Sequence, residues 1–92
     1  MKTLDVYENL NLDDIISFLF EGKKAILKIS NLSIGAVSGA GMIRGDGVLD
    51  GEKYHFDRVY ISTKEKKGSD TRVKEMNFAS EEDIAELEKL AA

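Results

Sequence analysis

Apolar residues crowd the stretch from Leu10 to Phe20 until almost no polar face is left. Leu12 and Ile16, Ile15 and Leu19, and Ile16 and Phe20 form i,i+4 pairs, with Phe18 beside them. That spacing predicts a helix over 12–21, wrapped by the rest of the protein or by a partner. Asn11 stands where an N-cap belongs, and Asp13 and Asp14 occupy the first turn, where the helix dipole favours acids. Gly22 supplies a left-handed stop. Residues 2–10 fit a strand and a helical turn equally well.

Beyond Gly22 the period changes from helical to alternating. In "KKAILKIS" Ala25, Leu27 and Ile29 share one face, while Lys24, Ile26 and Lys28 share the other, which predicts a half-buried strand. "GVLDGEKYHF" centres on Asp50-Gly51, a two-residue hairpin signal because both turn positions need positive φ. The strand that follows, "YHFDRVYIST", switches its inward set between Phe56 and Val59, so a bulge is expected near Asp57-Arg58. A charged turn, "KEKKGSD", leads to a further strand, "TRVKEMNF". Ser80 then caps a last helix, with Asp83 completing an approximate capping box. Ile84, Leu87 and Leu90 give that helix a thin apolar stripe, as expected of one lying on a surface.

No strand–helix–strand unit recurs. The expected fold is α+β: an antiparallel sheet of about four strands joined as a meander of hairpins, an N-terminal buried helix and a C-terminal surface helix. Residues 1–92 are read as a single domain. The final "KLAA" resembles read-through of a cloning site placed before a purification tag, so 89–92 are not native on that reading.

One segment breaks the alternation. "GAVSGAGMIRGDG", residues 35–47, holds five of the eight glycines. It contains GxxxGxG, but a phosphate loop needs a helix N-terminus directly after it, and here glycines and a hairpin follow. Arg44-Gly45-Asp46 spells an adhesion tripeptide that nothing else in the chain supports. Asp46, Asp50 and Glu52 imitate part of a calcium loop, but Val48 stands where a ligand is required. The odd spacing of the glycines leaves two mechanical readings. In a packed strand they share one face and let something approach the backbone. In a mobile loop they provide flexibility.

Composition narrows the function classes. An apolar content of 42% with 33% charged residues is that of a globular domain. With no cysteine, disulfides, thiolate metal sites and thiol nucleophiles are excluded. The longest apolar run, Ile15–Phe20, is broken by Ser17 and is far short of the about 20 residues of a membrane-spanning helix. The net charge of −4 is uneven: residues 1–21 and 80–92 each sum to −4, and residues 22–79 sum to +4.

His55 is the single histidine, and Asp57 shares its face if the strand is regular. No nucleophile accompanies the pair, so it reads as an ordinary strand histidine, and no catalytic residue, cofactor or metal site is expected. Arg58, Lys64, Lys66, Lys67, Arg72 and Lys74, with Tyr54 and Tyr60, form the candidate binding set, since basic side chains beside sheet aromatics can hold single-stranded nucleic acid. The expectation is a small cytoplasmic, non-enzymatic protein. Its partner would be another protein or a second copy of itself, with the apolar excess of 12–21 as the interface. Nucleic acid is the alternative partner, and no membrane association is expected.

Overall fold

A computed structural model of the chain describes residues 9–34, 40–62 and 76–91. Its elements are β1 (Ile15–Phe20), β2 (Lys23–Ile34), β3 (Ala40–Leu49), β4 (Glu52–Ser62), β5 (Met76–Phe78) and α1 (Glu81–Ala91). The strands form one antiparallel sheet in the order β4-β3-β2-β1-β5. The α+β class and the C-terminal helix agree with the sequence. The strand count is five, and the N-terminal helix is replaced by β1.

Local chemistry at 11–22 explains that correction. Asp14 turns its carboxylate back to accept the Asn11 N–H at 2.8 Å, and Asp13 takes a left-handed φ of 71°. The turn is then tied to β2, where Asp13 N–H donates to the Ile29 carbonyl at 2.8 Å and Ile29 N–H to the Asp14 carbonyl at 2.9 Å. At the far end Glu21 and Gly22 both have positive φ, 51° and 79°, giving a two-residue hairpin in place of a helix stop. Between these turns the run is apolar at every position except Ser17 because β1 is an interior strand. Ile16 and Phe18 are buried on one face, and Ile15 packs under α1 on the other. A short apolar run fits either periodicity, and its flanking turns decide.

The sheet curls tightly around its main core. β1 and β4 stand three strand intervals apart, about 14 Å if the sheet were flat. Yet the Phe18 and Phe56 rings meet at 5.7 Å, and Phe20 and Phe56 at 5.8 Å. The concave face therefore closes on itself, with Ile16, Leu27, Ile29, Ile43, Val59 and Ile61 in the same cluster. Gly45 and Gly47 lie on this face, in register with Ile29 and Phe56 and with Leu27 and Tyr54. A Cβ on Gly45 would overlap the Lys28 carbonyl oxygen, and one on Gly47 the Ile26 carbonyl oxygen. Residues 40–47 are thus packed strand, as the first of the two mechanical readings has it, whereas 35–39 lie outside the described residues.

Two bulges lie at one level of the sheet. The expected one inserts an extra residue in β4 between Phe56 and Val59, opposite Arg44. A second falls in β2 at Ser30, whose hydroxyl donates to the Arg44 carbonyl at 3.2 Å. Beyond it the inward set of β2 passes from Ile29 to Leu32, so the strand runs on to Ile34 instead of ending near Ser30. The Asp50-Gly51 hairpin forms as expected, with φ values of 52° and 83°.

Because β2 backbone stands where a Gly47 Cβ would go, Gly47→Ala is expected to lower unfolding stability by at least about 2–3 kcal/mol, in the range of overpacked cores. Urea denaturation measures this. A change below about 0.5 kcal/mol would show that β2 does not approach β3 this closely.

Candidate functional site

The convex face of the sheet is divided in two. Its end near the hairpins is covered by α1, with Ile26, Val48 and Leu87 as a second small core, and Ile15 and Leu90 beside it. Leu90 packs here, and the helix continues through Ala91. Two groups of contacts hold the helix. Ser80 and Asp83 form a reciprocal cap, with Asp83 N–H donating to Ser80 Oγ at 3.2 Å and Ser80 N–H donating to Asp83 Oδ2 at 3.4 Å. Lys24 Nζ then reaches Asp83 Oδ1 at 2.6 Å, joining β2 to the first turn of α1. Asp83 is buried, and the hydrogen bond from Lys24 holds its carboxyl below the ordinary value of 3.8 despite its desolvation. Lys24 is raised in turn, chiefly by its hydrogen bond to Asp83.

Beside the helix the convex face opens into a groove of about 690 Å³. Ile15, Leu87 and Leu90 give it an apolar floor. Lys28, Asp46, Lys53, His55 and Glu88 stand along it, so its rim carries both signs of charge. Lys28, Asp46 and His55 are successive cross-strand neighbours in one row. His55 Nδ1 lies 2.7 Å from Asp46 Oδ1. An ionised carboxylate can only accept, so Nδ1 carries the hydrogen and Nε2 is left outside that bond. With side chains 64% and 86% exposed, water screens the pair. The sequence pairs His55 with Asp57 instead. The bulge takes Asp57 out of regular alternation, and the residue directly across from His55 is Asp46.

The next row, beyond the helix, is Asn31, Arg44 and the Asp57-Arg58 bulge, and the row after it Ser33, Met42 and Tyr60. Of the candidate binding set, Lys64, Lys66, Lys67, Arg72 and Lys74 lie outside the described residues. Arg58, Tyr54 and Tyr60 are all on β4 but do not make one platform. The Tyr54 ring leans on Phe56 at 4.7 Å and Phe20 at 6.5 Å, with the concave core. Tyr60 alternates with buried Val59 and Ile61, which sends it with Arg58 to the convex side. The bulge reverses the alternation, and this separates the tyrosines.

Arg44 and Asp46 also stand on the convex face, Asp46 along the groove, and the binding set omits both. The Arg-Gly-Asp pattern drew attention to them, but as a loop motif. In the fold they are strand positions two apart on one face, and the glycine-rich pattern has β-ladder on both sides and no helix after it. Among the described residues no cluster of His, Asp and Glu is arranged to hold a metal ion, and no helix is long and apolar enough to cross a membrane. No family model, curated protein or solved structure matches the chain.

The Asp83 linkage has a pH signature. A carboxyl held below its unfolded value contributes stability above that value, and the contribution is lost as pH falls through the folded value. Asp83→Ala is therefore expected to cost about 1–2 kcal/mol at neutral pH. The gap from wild type should narrow once pH drops below 3.8. Paired denaturation curves at neutral and acid pH test this, and a pH-independent gap would assign the loss to packing alone.

Proposed function

We propose that the protein is a non-enzymatic binding module that works through protein–protein contact, with a second copy of itself as the first partner to test. The observation that carries this reading is the outer edge of β4. The strand is eleven residues long and, among the described residues, pairs only with β3. An open strand edge offers unpaired N–H and C=O groups to another chain. Here the edge also borders the groove, because Lys53 and His55 belong to both. A segment laid along β4 would have backbone partners on one side and the apolar floor with its mixed charges on the other. Tyr60, 45% exposed, adds the kind of side chain that anchors interfaces.

The apolar excess of 12–21 is absorbed by the interior position of β1, apart from Leu12 and Leu19, which stay 60% and 68% exposed. A second reading, single-stranded nucleic acid, is favoured by the placement of Arg58 and Tyr60 on one face with Lys28 and Lys53. It requires binding that weakens steeply as salt is raised.

For the main reading, light scattering over a concentration series is expected to give a mass that climbs from 10.2 kDa toward its double. Tyr60→Glu, at an exposed position, should shift the midpoint at least about tenfold upward in concentration. A monomer at every concentration removes self-association. A Tyr60→Glu midpoint equal to that of wild type moves the contact away from β4.

A further inference from the structure

The bulge at Asp57-Arg58 divides the outer strand β4 into Glu52–Phe56 and Val59–Ser62. Before the bulge Tyr54 and Phe56 face the concave core, and Lys53 and His55 face the convex side. After it Val59 and Ile61 face the core, and Arg58 and Tyr60 the convex side. Residues that share a face across the bulge are therefore an odd number of positions apart. Among the described residues only β3 pairs with β4, and no turn or loop backbone hydrogen bond reaches it. Asp57 and Arg58 are both exposed, and neither has an ion-pair partner within the described residues of the chain.

We propose that β4 pairs antiparallel with β4 of a second copy about a two-fold axis centred between Asp57 and Arg58. This register rests on the self-association through the β4 edge proposed above. A bulge and charges on an edge strand normally guard it, because a regular strand cannot follow the extra residue. A second β4 can, since it carries the same extra residue. Opposing residues in an antiparallel ladder point to one face. In this register Asp57 of each copy stands opposite Arg58 of the other, Phe56 opposite Val59, His55 opposite Tyr60, and Tyr54 opposite Ile61. Every one of these pairs shares a face. A slip of one residue sets core-facing residues against convex ones, and a slip of two lays the bulge against regular strand. The unpaired charges of the edge then complement each other twice, as a self-complementary two-fold contact requires. The groove borders the same edge, so Tyr60 of the second copy comes to stand beside His55 at its rim.

The chain has no cysteine, so introduced thiols report the register directly. His55→Cys and Tyr60→Cys, both at exposed positions, are made in separate full-length chains and mixed under mild oxidation. Opposing Cα atoms lie about 4.5–5.5 Å apart, within disulfide reach. Each introduced thiol is about 17 Å from its own equivalent in the second copy. The mixed disulfide is therefore expected to form at least about tenfold faster than either symmetric one. Asp57→Arg and Arg58→Asp, each alone, oppose like charges and should raise the dimer midpoint in light scattering about tenfold. Mixed in equal amounts they should associate near the wild-type midpoint, because one copy is then positive at both positions and the other negative. A wild-type chain that is monomeric at every concentration overturns self-association and register together. A dimer whose mixed disulfide has no advantage, or whose mixed charge variants associate no better than either alone, overturns the register and leaves self-association standing.

Discussion

The fold depends on a close approach between two backbones. β2 carbonyl oxygens occupy the space that Cβ atoms at 45 and 47 would need, so β3 can carry nothing larger than hydrogen there. With that strip bare, the sheet curls until side chains from β1 and β4 meet across it, Phe18 and Phe20 against Phe56. The aromatic cluster in turn favours the curl, because edge-to-face rings bury large areas and add a directional preference. Glycine in a strand normally weakens it. Here the lost propensity is offset by a core that a small domain of open, gently twisted strands could not enclose.

The curl also decides where chemistry can sit. Concave side chains are consumed by packing, from Ile16 and Leu27 to Ile43 and Ile61. On the convex side α1 covers the Ile26–Val48 end and leaves the remainder to polar residues. The two bulges fall just past the helix, at Ser30 and at Asp57-Arg58. They reset the alternation of the flanking strands while β3 runs through without one. As a result Ile29 and Leu32, and likewise Phe56 and Val59, all point into the core despite their odd spacings. The residue left between the bulges on the other face is Arg44.

Signals that depend on a few neighbouring residues were legible in the sequence. The Asp50-Gly51 turn, the bulge after Phe56 and the Ser80–Asp83 cap each need only local geometry, and each stands where the residue pattern puts it. The reading of 12–21 as a helix failed for a physical reason. Asn11 and Asp14 satisfy each other in a turn as readily as they would cap a helix, and Glu21 is a weak announcement of a positive-φ hairpin position. An interior strand apolar on both faces has no period to distinguish it from a buried helix. The site was less legible still. His55 meets Asp46 and Arg44 meets the β4 bulge through register, a long-range property that no local pattern encodes. Tyr54 and Tyr60 stand an even six positions apart and still face opposite ways because one extra residue lies between them.

The Arg-Gly-Asp run condenses this logic. Its glycine serves the concave core, where a Cβ at 45 has no room. Its arginine and aspartate, on either side, are carried by the same strand to the convex surface. Alternation makes this unavoidable: a bare position inside obliges its neighbours to face out. Register sets the β2 and β4 bulges at the flanks of Arg44, and Asp46 in line with Lys28 and His55. Packing on one face and charge on the other are thus set by three consecutive residues of one strand.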